Sequence, residues 1–311
     1  MSKCKVSVVM TVYNDSKYIK RSVHSIVSQT YKDFEFIIVD DGSTDDSMSI
    51  VESFNDKRIH IYKVPRMGRP SALNFGVVKS KGELVVIMDA DDISLPSRIE
   101  KQVKYMDNNP HVDFVGGSAK IIDQSDRVIG LKSAVVGEAN VAKLAPYGSP
   151  IIHPTSCYRR LVFNKIGGYR EEFLYAQDYD LVLRVLDSRY VVNNMPDILI
   201  KYRINIEHVK DPIKLYRHLK LTIYARKFHK QRVELNNKDG YSNELLSALP
   251  RLGLIQKLVL TIQYKASVLK LTNKIWVIVY YLVSIFNKNL ATVVFHDYIY
   301  HKILKNIKSQ Q

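Results

Sequence analysis

Three short acidic stretches have residue types and spacing suited to ligand chemistry. In FIIVDDGSTDDS, residues 36–47, Asp40 and Asp41 close a β-branched and aromatic run and lead straight into a Gly-Ser-Thr turn. In VVIMDADDISLP, residues 85–96, Asp89 and Asp91 are alternate residues of an extended segment. Two carboxylates so placed can share a hard divalent cation with a phosphate. A diphosphate carries charge that a lone lysine offsets poorly and that Mg²⁺ or Mn²⁺ bridges well. In YAQDYDLVLRV, residues 175–185, Asp178 stands at the start of a helix whose apolar face is Leu181, Val182 and Val185. A carboxylate there either caps the helix or acts as a general base toward a hydroxyl nucleophile. Neither GxxxxGK[ST] nor GxGxxG occurs, which excludes the usual nucleoside triphosphatase and dinucleotide designs. Phosphate handling then falls to carboxylate plus metal.

The elements that must position these groups alternate over the first 115 residues. Strands are expected over Val6–Val12, Phe34–Val39, Arg58–Tyr62, Leu84–Met88 and Val112–Val115. Between them, helices are expected over Ser16–Ser28, Thr44–Phe54 (capped from Ser43 or Thr44), Ser71–Lys79 and Pro96–Met106. Near-continuous apolar strands separated by amphipathic helices imply an α/β fold with a mostly parallel, doubly wound sheet. In such sheets ligands bind at the carboxyl ends of the strands, where strand order reverses. Thr11, Tyr13, Asp40, Asp41, Asp89 and Asp91 all fall at the ends of three predicted strands and so converge on one rim. Taken singly, Asp-Gly-Ser-Thr reads as a turn and Asp-Ala-Asp-Asp as a helix cap. Two clusters at one edge favour a site.

From Gly116 to Tyr202 the pattern loosens into short strands, turns and one clear helix, Asp178–Leu186. After Asp211-Pro212 the chain reads as helical, with Leu215, Leu219 and Ile223 sharing one face. A boundary near residue 210 therefore divides a catalytic region, 1–210, from a helical basic region, 211–311. The 311 residues carry a net charge of +15. From Arg251 to Gln311, nine Lys and Arg face one acid, Asp297, so +8 of that excess sits in the last fifth. Two cysteines without metal-type spacing argue for a reducing compartment. The N-terminus reads as the first strand rather than a signal segment, and no run reaches the ~20 apolar residues of a membrane span.

The set VSVVMTVYND, QTYKDFEFIIVDDGSTD, GRPSALNFGV, DADDISLPSRIEKQ, HPT and QDYDLVLRV, in this order, resembles the glycosyltransferase family 2 proteins over roughly residues 5–205. The resemblance implies the GT-A fold and an inverting transfer from a UDP-sugar, a hexose or N-acetylhexosamine, to a hydroxyl of a saccharide acceptor. It implies that Thr11 and Tyr13 border the nucleotide, Tyr13 packing on the base. Asp41 would accept the N–H of a uracil ring with Asp40 in support, a carboxylate pair without its usual lysine partners. Arg69 would face the diphosphate. Asp89 matches the first residue of the family's DxD and Asp91 the direct ligand of Mn²⁺ or Mg²⁺. Asp92 is either a supporting group or a cap on a helix beginning near Ser94. Asp178 matches the catalytic base, with Gln177 where an acidic neighbour is usual. His153 matches a position near the acceptor or a structural histidine. Tyr202-Arg203 is followed by Ile204-Asn205 where the family often has a histidine, which leaves His208 as the candidate third ligand. Bacterial enzymes of this kind build surface polysaccharides on a polyprenyl diphosphate lipid. Two alternatives are an inactive nucleotide-sugar-binding scaffold and a sugar-nucleotide nucleotidyltransferase, but the latter's Gly-rich N-terminal loop is missing.

No nucleic-acid partner is implied, and the basic C-terminal region has two candidate roles. Ile255, Val259, Ile262, Ala266 and Leu269 form one apolar stripe with Lys257 and Lys265 opposite, the pattern of an interfacial helix. Ile275–Phe286 follows, apolar but too short to span, flanked by Lys270, Lys274 and Lys288. Each cation near an anionic leaflet is worth ~1 kcal/mol, which would hold the chain on the cytoplasmic face of a membrane. The competing role is packing on the catalytic region or in a homodimer. The 211–311 segment should float with anionic liposomes at moderate salt; failure to float would assign it to packing.

Overall fold

The structure, a computed structural model, describes residues 4–204, 212–236, 238–242, 303 and 307. The chain divides into two compact units, Met1–Ala145 with Ser149–Ile204, and Pro146–Gly148 with Asn205–Gln311. The interfacial stripe 255–269, the run 275–286 and His208 lie outside the described residues.

The first unit carries the sheet. Its elements are β1 (Val6–Val12), α1 (Ile19–Val27), β2 (Phe34–Asp40), α2 (Ser47–Glu52), β3 (Ile59–Lys63), α3 (Arg69–Lys79), β4 (Leu84–Asp89), β5 (Ile93–Ser94) and α4 (Arg98–Asn108). There follow β6 (Phe114–Ile122), β7 (Val128–Lys132), α5 (Glu138–Leu144), a 3₁₀ turn (His153–Thr155), β8 (Cys157–Arg159), α6 (Arg160–Ile166), α7 (Gln177–Asp187) and β9 (Val192–Arg203). The strand order is β3-β2-β1-β4-β8-β6-β9-β5, with β7 paired on β6. The pairings run β1 to β4, β6 and β9 in one direction, while β5, β7 and β8 oppose them. The sheet is mostly parallel, as the apolar runs predict.

Side-chain alternation explains why both faces are covered. Val8 and Met10 of β1 join Ile19, Val23, Ile26, Ile99 and Val103 on one face, and Val9 joins Leu73, Val77, Leu181 and Val182 on the other. The chain leaves β1 for β2 and β3, then returns to the far side of β1 as β4, so strand order reverses at β1. Register sets Thr11 beside Asp89 and Val12 beside Asp40. The predicted rim is therefore real, and it lies on both sides of the switch point.

Three local expectations are corrected. The helix expected over 44–54 begins only at Ser47. The amides that would have opened it serve the loop instead: Ser43 N–H donates to Asp40 Oδ1 at 2.9 Å, and Thr44 N–H donates to Asn14 Oδ1 at 2.8 Å. The strand expected at 112–115 is the long β6, which starts at Phe114 and runs through Gly116-Gly117 to Ile122. Glycine is a weak strand former, yet a Cβ at Gly117 would stand 2.6 Å from Leu199 Cδ1, so close approach to β9 requires it there. The helix expected from Pro96 begins at Arg98, and Ser94 lies in β5, so Asp92 caps no helix there.

In the second unit the described part is chiefly α8 (Pro212–Glu234). Its buried stripe is Leu221, Ala225, Phe228 and Arg232, while Leu219 and Ile223 are half-buried. Tyr241 packs edge-on against Phe228, and Arg232 pairs with Asp239. Among the described residues no helix is long and apolar enough to cross a membrane.

Candidate active site

β4 ends on Asp89, and the chain then turns so that Asp89, Asp91 and Asp92 bring carboxylate oxygens within 4.8 Å of one another. Burial alone would raise all three carboxyl pKa values. Against that burial, the Arg69 guanidinium holds Asp89 below its ordinary value. Asp91 has no ion pair among the described residues, and burial first, then the charges of Asp89 and Asp15, push it up to about 6. Asp92 is driven well above its usual range by burial and by Asp91 and Asp89. One oxygen of Asp92 accepts the Arg203 amide at 2.7 Å, and the other is buried with no hydrogen-bond partner among the described residues. Crowded carboxylate oxygens, one of them unused, suit a hard divalent cation. The donor set fits Mn²⁺ or Mg²⁺.

Arg69 is the first residue of α3. Its Nη2 donates to Asp89 Oδ1 at 2.5 Å and to His153 Nδ1 at 3.2 Å. A guanidinium can only donate, so Nδ1 accepts and the proton of a neutral imidazole sits on Nε2. Nε2 then donates to Tyr169 Oη, 3.0 Å away. Burial and the neighbouring Arg69 charge lower the His153 pKa, consistent with that neutral form. His153, from the 3₁₀ turn, thus has both nitrogens engaged within the protein and lies beside the Arg69–Asp89 pair.

Asp178 is the second residue of α7, and no side-chain hydrogen bond caps that helix. Asp178 lies close enough to Arg69, His153, Tyr169 and Lys132 to bear on each electrostatically. Gln177 beside it is buried. α7 is fixed from below by Asp180, fully buried, which accepts from Arg184 Nε at 2.8 Å and lies 3.3 Å from Arg170 Nη1.

The Asp40–Asp41 pair is built differently from expectation. Asp41 has a close cationic partner: Arg66 Nη1 donates to Asp41 Oδ2 at 2.6 Å. Met67 and Gly68 amides donate to the same carboxylate at 2.7 and 3.1–3.2 Å. The Arg66 guanidinium also lies 3.3 Å from the Tyr13 ring centroid, on one face of that half-exposed ring. Asp40 is tied down by Ser43, as described, and Thr11 lines the same strand end. The acidic pair is therefore a paired, prefolded wall, because a buried carboxylate without partners would be too costly.

The sequence pattern missed four groups here. Arg66 lies 25 residues from the carboxylate it serves. Asp15, whose carboxyl burial raises to about 6 with help from Asp89, could have been suspected from the YND that follows β1. Arg98 is fully buried under β4, donating to the Ile87 carbonyl at 2.8 Å. Arg203 grips the acidic loop from β9.

The chain matches the family model for Glycosyl transferase family 2 over residues 7–167. It is 36% identical over 210 residues to the uncharacterized glycosyltransferase MJ1057 of Methanocaldococcus jannaschii, covering 66% of this chain and 72% of that one. It is 34% identical over 207 residues to the O-antigen biosynthesis glycosyltransferase WbnJ of Escherichia coli, covering 64% and 80%. Among solved structures it resembles S. aureus TarS 1-349 in complex with UDP-GlcNAc, with a TM-score of 0.60, 18% identity and coverage of 99% and 92%. It also resembles the mannosyltransferase PcManGT of Pyrobaculum calidifontis in complex with GDP-Man and Mn²⁺, with a TM-score of 0.59, 19% identity and coverage of 100% and 89%. The chain belongs to glycosyltransferase family 2 and has the GT-A fold.

The positioning of Asp178 through Asp180 is testable. Asp180→Ala leaves Arg184 and Arg170 without this buried partner, and should cost about 3–5 kcal/mol in a denaturant melt. A loss below about 1 kcal/mol would show that α7 is held without this ion pair.

Proposed function

We propose that the protein is an inverting transferase that moves a hexose or N-acetylhexosamine from a UDP-sugar to a hydroxyl of a lipid-linked saccharide. The observation that carries this reading is the convergence of the Asp89–Asp91–Asp92 cluster, Arg69 and Asp178 on one strand-end site. Asp91 and Asp89 would hold Mn²⁺ or Mg²⁺, which when bound neutralises the diphosphate of the donor. Thr11, Tyr13, Asp40 and Asp41 would form the nucleotide wall. Arg69, released in part from Asp89, would face the diphosphate.

Asp178 takes the proton of the acceptor hydroxyl. That oxygen bonds to the anomeric carbon as the bond from that carbon to the donor's phosphate oxygen breaks, and the electron pair leaves with UDP. Inversion follows from a single in-line displacement. A general base contributes ~10²–10⁴-fold in rate. His153 acts through Arg69 on the donor side in this arrangement, so its role near the acceptor is indirect. Gln177, buried beside the base, keeps a second negative charge away from it. WbnJ, and AmsE of Erwinia amylovora, an amylovoran biosynthesis glycosyltransferase, carry names from polysaccharide synthesis. Those names support a role in polysaccharide synthesis, which this reading places at the inner face of a bacterial cell membrane.

One comparison tests the assignment. Asp178→Asn should lower turnover by roughly 10²–10⁴-fold with a UDP-sugar and acceptor, while the variant still binds UDP in calorimetry with Mn²⁺ and loses that binding in EDTA. Near-normal turnover would remove Asp178 as the base. UDP affinity that is equal with Mn²⁺ and EDTA would remove the metal.

A further inference from the structure

Arg203, the last residue of β9, has a side chain that is fully buried yet is not part of the site's lining. Its Nε donates to the carbonyl of Asp91 at 2.7 Å. Its own amide donates to Asp92 Oδ1 at 2.7 Å. The rest of the guanidinium reaches the turn between β6 and β7: Nη1 donates to the Asp123 carbonyl at 2.7 Å, and Nη2 to Asp126 Oδ1 at 2.5 Å. The Tyr18 ring lies under it, 4.2 Å from the guanidinium carbon, and Asp126 is held a second time by Arg21. Asp126 itself sits at φ +64°, a left-handed conformation that only a tight turn requires.

We propose that Arg203 is the positioning residue of the acidic loop, holding Asp91 and Asp92 in the direction that a divalent cation needs. The proposal rests on the reading of Asp91 as a metal ligand. Fixing the Asp91 carbonyl fixes the peptide that carries its side chain. Occupying one oxygen of Asp92 leaves the other, buried and without a hydrogen-bond partner among the described residues, available for a ligand. Groups that orient ligands in this way typically change metal affinity 10–100-fold when removed. The guanidinium is in turn held by Asp126 and the Asp123 carbonyl, so the β6–β7 turn sets the loop from outside the site. Lysine cannot replace this arrangement, because one ammonium cannot span three acceptors in a plane.

The test is Mn²⁺ affinity of the full chain in the presence of UDP, read from the electron paramagnetic resonance of free Mn²⁺, with folding followed by circular dichroism. Arg203→Lys should weaken Mn²⁺ binding by ~10–100-fold. Asp126→Asn, which touches no residue of the cluster, should weaken it several-fold. Arg127→Ala, in the same turn but exposed and bonded only to Asp123, should leave it unchanged. Wild-type Mn²⁺ affinity in a folded Arg203→Lys overturns the proposal, even with a lowered melting temperature. If Arg203→Lys does not fold, Asp126→Asn decides, and unchanged affinity there overturns it. A wild-type protein that binds no Mn²⁺ with UDP overturns the metal reading and this proposal together.

Discussion

Three carboxylates share the end of one buried strand, and the rest of the catalytic unit is arranged around that repulsion. Asp89, Asp91 and Asp92 cannot all ionise at low cost in a dehydrated site. The protein offsets part of the charge with Arg69 at 2.5 Å from Asp89, and places the buried Arg98 beneath the strand. It does not offset all of it. Asp91 stays near pKa 6, and one oxygen of Asp92 has no partner among the described residues. Carboxylate oxygens that the protein's own cations leave unengaged are ones a hard divalent cation can take.

Sheet topology makes this cluster possible. β1 and β4 are neighbours because the chain reverses strand order at β1, and register then sets Thr11 against Asp89. The second half of the unit delivers the remaining groups: the 3₁₀ turn brings His153, α7 brings Asp178, and β9 brings Arg203. One hydrogen-bonded chain, Asp89–Arg69–His153–Tyr169, joins the two halves. The link between the halves therefore runs through a neutral histidine.

Much of the fold was legible in the sequence, and the reason is local. β1, β2 and β4 are buried on both faces, so their composition alone marks them. Asp40, Asp41, Asp89 and Asp91 could be assigned to a rim because parallel strands must end on a common edge. What could not be read depends on contacts across the chain. β6 was truncated by its glycines, whose purpose is visible only when β9 lies beside them. Asp41 seemed unpartnered because Arg66 is 25 residues away, and Arg203 is 112 residues from the Asp91 carbonyl it holds. Ser43 and Thr44 have cap-forming side chains, yet their amides are taken by Asp40 and Asn14. Local propensity yielded there to tertiary hydrogen bonding.

The central claim is that the cluster holds a divalent cation against the donor diphosphate, within reach of Asp178. The most direct measurement is an anomalous-scattering map from crystals grown with UDP and Mn²⁺. A manganese peak between the Asp91 carboxylate and the two phosphates, with the base beside Tyr13, is the predicted result. UDP bound at this rim with no peak near Asp89 and Asp91, or a peak elsewhere in the chain, would contradict it.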